Sequence, residues 1–486
     1  MVRPFSIKRI ILSLISIIQY NLIQMKISFT YVLCLFFILS IQFSDAQKLS
    51  RQEMITDIDY YFDILRNKHP NLYKKYTPMQ FDSLQQRLTK QVVDSMDCKD
   101  FNRLLLRING LTDGHTLILT NKIWGRTHEK DSLPYFLIKD SSLFLQNNLI
   151  LSINKKDVRD VVQEISNMLS WEYSSLLKEE YINSNLPFFC SSFYDIHPPY
   201  LICLKNLETG VVKMDTVETK KILYTADYKQ TFNFEFFEKD SIAIFHYNSC
   251  DIGTDLKLFE RALSAAFEIM DKEHVKYLFI DITKNGGGNS EYNKLIFKYL
   301  NVAKVKDGVS YHVNKSMAKS NAENMMKGWK EQISKEFFLK RWLLNYKVRR
   351  FKGAMLNYVE TGVLKDKVVY PKNKKGFKGK VFLLQSRKTY SAAIDFAADF
   401  RRMKVGIVVG EKAGAPIDFC GNCENYILPN SGISVVCAMS EYKYDSPVTG
   451  MDENGILVPD IPYEVFNRKL SLEDYWEIIE LNNCSR

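Results

Sequence analysis

Apolar positions change their spacing along the chain, and the changes predict its elements. Over 50–107 they recur every third or fourth residue, through Ile55, Ile58, Phe62 and Leu65 and again through Phe81, Leu84 and Leu88. That period predicts helices, broken at His69-Pro70. Near residue 120 the runs shorten. Segments 135–138, 143–145 and 149–153 are brief, apolar and separated by turn residues, so they predict strands. A helix is expected over 157–169, and a hairpin from 201–204 and 211–217. From 241 onward the pattern alternates. Strands are expected at 241–246, 277–282, 381–384 and 405–409, and helices at 256–272, 290–300 and 392–401. Such alternation predicts a layered α/β core. Residues 301–378 are more polar and helix-rich, with a lysine-rich run over 372–380, and read as an insertion or cap.

Composition narrows the class. The chain has 486 residues, 46% hydrophobic and 25% charged. That length suggests two to four domains, and the balance excludes a disordered, collagen-like or multi-span membrane protein. The formal charge is +10. Residues 1–46 hold Arg3, Lys8, Arg9 and Lys26 against Asp45, leaving 62 basic and 55 acidic side chains in the remainder. The excess is mild and reads as dispersed, and no basic block with interleaved aromatics stands out. Nucleic acid is therefore not an expected partner.

The N-terminal residues have the order of an export signal. Met25-Lys26 opens a charged stub, an apolar run covers 31–43, and Ser44-Asp45-Ala46 offers a cleavage edge at Ala46. The apolar run falls short of the ~20 residues a spanning helix needs. The expectation is a signal over 1–46, with Met25 as the true start and 1–24 an over-extension. The chain is then exported, periplasmic or extracellular. The alternative is that 1–46 stays as a membrane anchor, the only membrane contact expected. Cys34 lacks the small-residue context of a lipid-attachment site. Eight cysteines follow Ala46, and their pairing cannot be deduced from sequence. Cys420-Gly421-Asn422-Cys423 is a lone C-x-x-C, a weak zinc signal and a better candidate for a local disulfide or reduced thiols.

Chemistry must come from side chains that folding brings together. The seven histidines include no His-Glu-x-x-His, and no phosphate-binding Gly-x-x-x-x-Gly-Lys-Ser/Thr occurs. No metal or cofactor is expected. Asn285-Gly286-Gly287-Gly288 follows an apolar strand, and its amides could face an anion. Thr389-Tyr390-Ser391-Ala392-Ala393 places Ser391 where a helix begins, either as a plain N-cap or as a nucleophile beside the orphan N–H of Ala392. Asp113-Gly114-His115-Thr116 offers an imidazole, with His246 and His197 as rival bases. The stretch 452–460 could add a carboxylate or could be a Gly/Pro-punctuated loop. A serine needs a base and oxyanion donors. Ser391, His115 and the amides of Ala392 and one loop glycine make such a set.

In this order and spacing, "DGHT", "DITKNGGGNS", "TYSAAIDFA", "VVGEKAGAP", "YILPNSG" and "GILVPDIPYEV" resemble the S41 family of serine peptidases, the C-terminal processing and tricorn-core group. The resemblance implies a ClpP/crotonase-like α/β core over 236–475, with the insertion at 301–378. It also implies a helical region over 47–120 carrying His115 and a β-rich, PDZ-like module over 121–235. By position it makes Ser391 the nucleophile and His115 the base, with Ala392 and Gly287 as oxyanion donors. Glu453, chosen over Asp452, would assist. The family's Ser–Lys arrangement has a lysine after the Gly-Glu turn, where Ala415 stands here, and Lys412 falls too early. The tricorn-like pattern has a serine before its histidine, where Gly114 stands here, which leaves Asp113 or Thr116 to orient the ring. The implied activity is hydrolysis of polypeptides, often at their C-termini. The alternative is an inactive peptide- or apolar-ligand-binding protein on the same fold.

Overall fold

The computed structural model describes residues 48–119, 129–132, 136–139, 142–218, 220–223, 231–253, 255–302, 308–366 and 376–484. The expected export signal over 1–46, and Cys34 within it, lie outside these residues.

The core is one six-stranded sheet whose spatial order follows the chain: β1 (Phe232–Phe237), β2 (Ile242–Tyr247), β3 (Tyr277–Asp281), β4 (Lys380–Gln385), β5 (Ile407–Gly410) and β6 (Ile461–Pro462). β1 runs antiparallel to β2, and every later pairing is parallel. Parallel strands need crossovers. Here these include the helices α1 (Leu256–Lys272), α2 (Glu291–Phe297) and α3 (Ala392–Arg402). Alternate residues bury opposite faces. Phe245, Leu278, Ile280 and Leu383 face the cluster holding Phe259, Ile296 and Phe396, from α1, α2 and α3 in turn. Ile244, Phe279, Phe382 and Leu384 face the C-terminal helix α4 (Leu472–Cys484), through Tyr475, Ile478 and Ile479. The alternation expected from 241 onward is therefore the observed α/β core.

Three smaller bodies surround it. The N-terminal helices Arg51–Lys68, Pro78–Gln91 and Cys98–Leu105 share a core with Leu428, Ile433 and Val435. The "YILPNSG" motif is an anchor here: buried Asp57 accepts the N–H of Asn430 at 2.9 Å and of Ser431 at 2.8 Å. The middle module is a mostly antiparallel sheet covered by the helices Val158–Asn167 and Ser175–Tyr194. Residues between those helices tie it down, as Ser170 donates to the Thr112 carbonyl and Ser174 N–H to the Gly414 carbonyl.

The expected helical insertion is a hairpin, Lys315–Lys335 and Phe338–Thr361. It corrects the reading of charge. Residues 315–361 carry 11 basic and four acidic side chains, leaving 51 of each elsewhere in 47–486. The excess is thus concentrated, not dispersed. Aromatics are interleaved with it, and Phe337, Phe338, Trp342 and Tyr346 stand exposed. A scan for short basic runs misses such a stretch because its basic residues are spread along two helices with few of them adjacent. No helix among the described residues is long and apolar enough to cross a membrane.

Candidate active site

β4 leads through a tight turn into α3, and Ser391 sits at the corner. Its backbone has φ 55° and ψ −129°, outside the usual range for a residue with a Cβ. The Ser391 side chain makes no capping hydrogen bond, so the plain N-cap reading fails. Buried polar groups hold the corner: Ser386 Oγ donates to the Thr283 carbonyl at 2.5 Å and Thr389 Oγ1 to the Ile282 carbonyl at 3.2 Å. Arg387 forms a two-pronged pair with Glu411 at 2.8 Å, which gives the Gly-Glu turn a structural role.

His115 arrives from the N-terminal region, and its Nε2 stands 2.9 Å from Ser391 Oγ. The ring is stacked between Tyr390, at 4.9 Å and 18°, and Phe419, at 5.4 Å and 21°. Burial pushes the imidazole below its usual range, against the pull of Asp113. The ring is therefore neutral near pH 7 and able to accept a proton.

Neither expected orienting partner touches the imidazole. Asp113 Oδ1 accepts the backbone N–H of His115 at 2.8 Å, and Oδ2 pairs with His69 Nε2 at 2.5 Å. Thr116 Oγ1 accepts the N–H of Ala438. The other ring nitrogen, Nδ1, faces Tyr390 Oη at 3.1 Å, and that hydroxyl donates to Glu172 Oε2 at 3.2 Å. Glu172 also accepts the Gly114 N–H at 2.9 Å. Burial, together with the nearby Asp113 charge, pushes the Glu172 carboxyl well above the usual carboxylate range. Burial also raises Asp113, but His69 outweighs it and holds that group down. Gly114 now has a physical reason. A Cβ there would stand 2.1 Å from Tyr390 Oη and 2.3 Å from Tyr173. The tyrosine hydroxyl occupies the space that a serine at 114 would need.

The glycine loop lies against the nucleophile as expected, but the donor differs. A Cβ on Gly287, at φ 102°, would meet Ser391 Cβ at 2.6 Å. The Gly287 N–H is already given to Asn285 Oδ1 at 2.9 Å, so Gly287 cannot serve as an oxyanion donor. Gly288 can. Its neighbours are bridged to Cys250, by Cys250 N–H to the Gly287 carbonyl and Asn289 N–H to the Cys250 carbonyl, while Gly288 itself lines the cavity beside Ser391. Among the described residues no acceptor takes the N–H of Gly288 or Ala392.

Residues 241–421 match the model of peptidase family S41. The match places an S41 peptidase segment in this chain and marks it as a serine-type hydrolase. Its fold is similar to that of mature CPAF, at 13% identity and TM-score 0.59, covering 88% of this chain and 96% of that one. CPAF complexed with lactacystin gives 13% identity and TM-score 0.58, covering 89% and 97%. The photosystem II D1 C-terminal processing protease lies further away, at 11% identity and TM-score 0.42, covering 85% and 93%. No curated protein matches the chain.

Other predicted residues lie elsewhere. Glu453 is exposed, and its carboxylate meets Asn454 on the same turn. Asp452 accepts from the backbone of Asn454 and Ile456 and from Lys412 at 3.2 Å. Asp452 and Glu453 are thus held by their own turn and by Lys412, while Asp460 accepts from Arg401 and from the Val408 N–H. His246 pairs with Asp281 at 3.0 Å and His197 with Asp195, so neither rival base meets Ser391. Two groups have the atoms to hold a metal, His69–Asp113–Cys420 and Asp113–His115–Glu172. His69, Asp113, His115 and Glu172 already engage the contacts above. Cys420 and Cys423 are unbridged, the first buried and the second exposed. The sequence reading missed Glu172 and Tyr390. Tyr390 was in view beside Ser391, while nothing marks Glu172 out from other acids of the middle module.

Proposed function

We propose that the chain is an exported serine endopeptidase that hydrolyses polypeptides through a Ser391–His115 acyl-enzyme. The contact of 2.9 Å between His115 Nε2 and Ser391 Oγ carries this reading, because it lies within the reach that proton transfer requires. Ser391 Oγ attacks the peptide carbonyl carbon as its proton passes to Nε2. The developing oxyanion is met by the amides of Ala392, at a helix N-terminus, and of Gly288. His115 then returns the proton to the leaving amine, accepts one from water, and the ester is hydrolysed.

Tyr390 and Glu172 position the base. The neutral imidazole carries its proton on Nδ1 and donates it to Tyr390 Oη, whose own proton points to Glu172. When the imidazolium forms, its charge favours ionisation of the Glu172 carboxyl. The motif order over 1–46 supports export. A binding protein on this fold would have no need of a base held against a strained serine.

The test uses Ser391→Ala, expressed in full. Hydrolysis of an unfolded polypeptide should fall by roughly 10⁴-fold or more, and the N-terminus of the exported parent should follow Ala46. A variant as fast as the parent would end the mechanism. A chain retained inside with residues 25–46 intact would end the export reading.

A further inference from the structure

Beside Ser391 lies a cavity of about 290 Å³, reaching past Ser391 and Gly288 to Asp395, Phe419 and Tyr442. Its position fixes what can enter it. A carbonyl held by Ala392 and Gly288 has its own residue's side chain next to the acyl carbon, and this is the space available to that side chain.

Asp395 is the feature that gives the cavity a preference. It stands in the first turn of α3, one helical turn after Ser391. Side chains on a helix lean toward its N-terminus, so the carboxyl leans toward the nucleophile's end. One hydrogen bond is recorded for that carboxyl, from Tyr444 Oη at 3.0 Å. Among the described residues no Lys, Arg or His pairs with it. The next acid, Asp399, is already paired with Arg402 at 2.9 Å. This half-buried carboxyl faces the cavity with one neutral donor and no cation partner, which leaves it free to pair with a cation entering there. The walls suit the aliphatic stem of the same guest, since Phe419 and Tyr442 line the cavity with apolar surface.

We propose that this cavity binds a lysine or arginine side chain, immediately N-terminal to the bond cleaved, through Asp395. The assignment rests on the acyl-enzyme reading above and adds the substrate class to it.

Matched peptides varied only at that residue, as Arg, Lys, Leu or Ala, test it on the full chain. The parent should cleave Arg and Lys peptides roughly tenfold or more faster in kcat/KM than Leu and Ala peptides. Asp395→Asn should shrink the Arg-to-Leu ratio by a similar factor. The ratio is the readout, so a uniform loss through poorer folding does not count as support. The ratio should also climb from pH 6 to pH 8 as the carboxyl ionises, since burial and Asp399 raise it to about 7. Tyr442 and Cys250 also face it from neighbouring elements, and burial raises both, so they stay neutral over that span, while Tyr444 donates its hydroxyl proton to it. The change in His115 affects every peptide alike and cancels. Equal cleavage of all four peptides by the parent, or an unchanged ratio in Asp395→Asn, overturns the proposal while leaving the peptidase reading intact. Benzamidine binding to Ser391→Ala separates the two readings. Saturable binding that Asp395→Asn abolishes upholds the pocket even if no peptide is cleaved, and absent binding counts against it.

Discussion

Two loops of this molecule carry acids in motifs that resemble the same family, and they differ in how deeply their long-range contact is buried. Each aspartate spends one oxygen on its own turn, Asp113 Oδ1 on the His115 N–H and Asp452 Oδ1 on the N–H groups of Asn454 and Ile456. Each gives the other to a distant residue, Asp113 to His69 and Asp452 to Lys412. The His69–Asp113 pair is buried on both sides, whereas the Lys412 side chain is half exposed and Glu453 faces solvent. An exposed ion pair is worth little, while a buried one holds its two segments together. The first loop accordingly brings His115 to Ser391, and the second brings no acid there.

The strongest way to break this comparison is at the base itself. His115→Ala should cost kcat roughly 10⁴-fold, about as much as losing Ser391, because the pair acts as a unit. Stopped or fluorogenic peptide assays on a variant with parental circular dichroism check this. A loss under tenfold would mean the loop delivers no base.

The next largest effect belongs to Tyr390→Phe, which removes the hydroxyl 3.1 Å from Nδ1. A hydrogen bond to a charged group is worth about 1.5–3 kcal/mol, so kcat should fall by roughly tenfold to a hundredfold. KM should hold, since the phenol positions the ring and does not hold substrate. Glu172→Gln should cost less than Tyr390→Phe. The raised carboxyl is already largely protonated in the resting site, and the amide keeps its acceptor. Equal losses in kcat and KM for Tyr390→Phe would reassign the tyrosine to substrate binding.

The pH profile sharpens the same point. Burial holds the folded His115 below its usual value of 6.5, so the base is neutral and competent down to that lower value. The rising limb of kcat/KM should have its midpoint below 6.5, and a midpoint above it would mean an imidazole stabilised in its charged form. The smallest effect is expected in the other loop. Glu453→Gln, exposed and engaged with its own turn, should change kcat/KM less than twofold and stability by less than about 0.5 kcal/mol. A hundredfold loss there would restore the carboxylate to the mechanism.

What the sequence made legible follows from range. The α/β alternation, the serine at a helix start and the glycine turn are local patterns, and each stands where its spacing put it. The pairing of His115 with Ser391 was reached through motif order, since 276 positions separate them. Gly287 was misassigned because its N–H is taken by Asn285, whose side chain reaches two residues forward, a detail no spacing encodes. Glu172 was invisible for the same physical reason. It is a single acid in a helix-to-helix connection, and it matters only after Ser170 and Ser174 pin that connection against Thr112 and Gly414.

The central claim is that Ser391 is a nucleophile activated by His115, and labelling by a fluorophosphonate reads this without any assumption about substrate. The account predicts a stoichiometric adduct on Ser391 in the parent chain, located by peptide mass spectrometry, and a labelling rate at least about a thousandfold lower in His115→Ala. An unlabelled parent, or equal rates in the two chains, would contradict it.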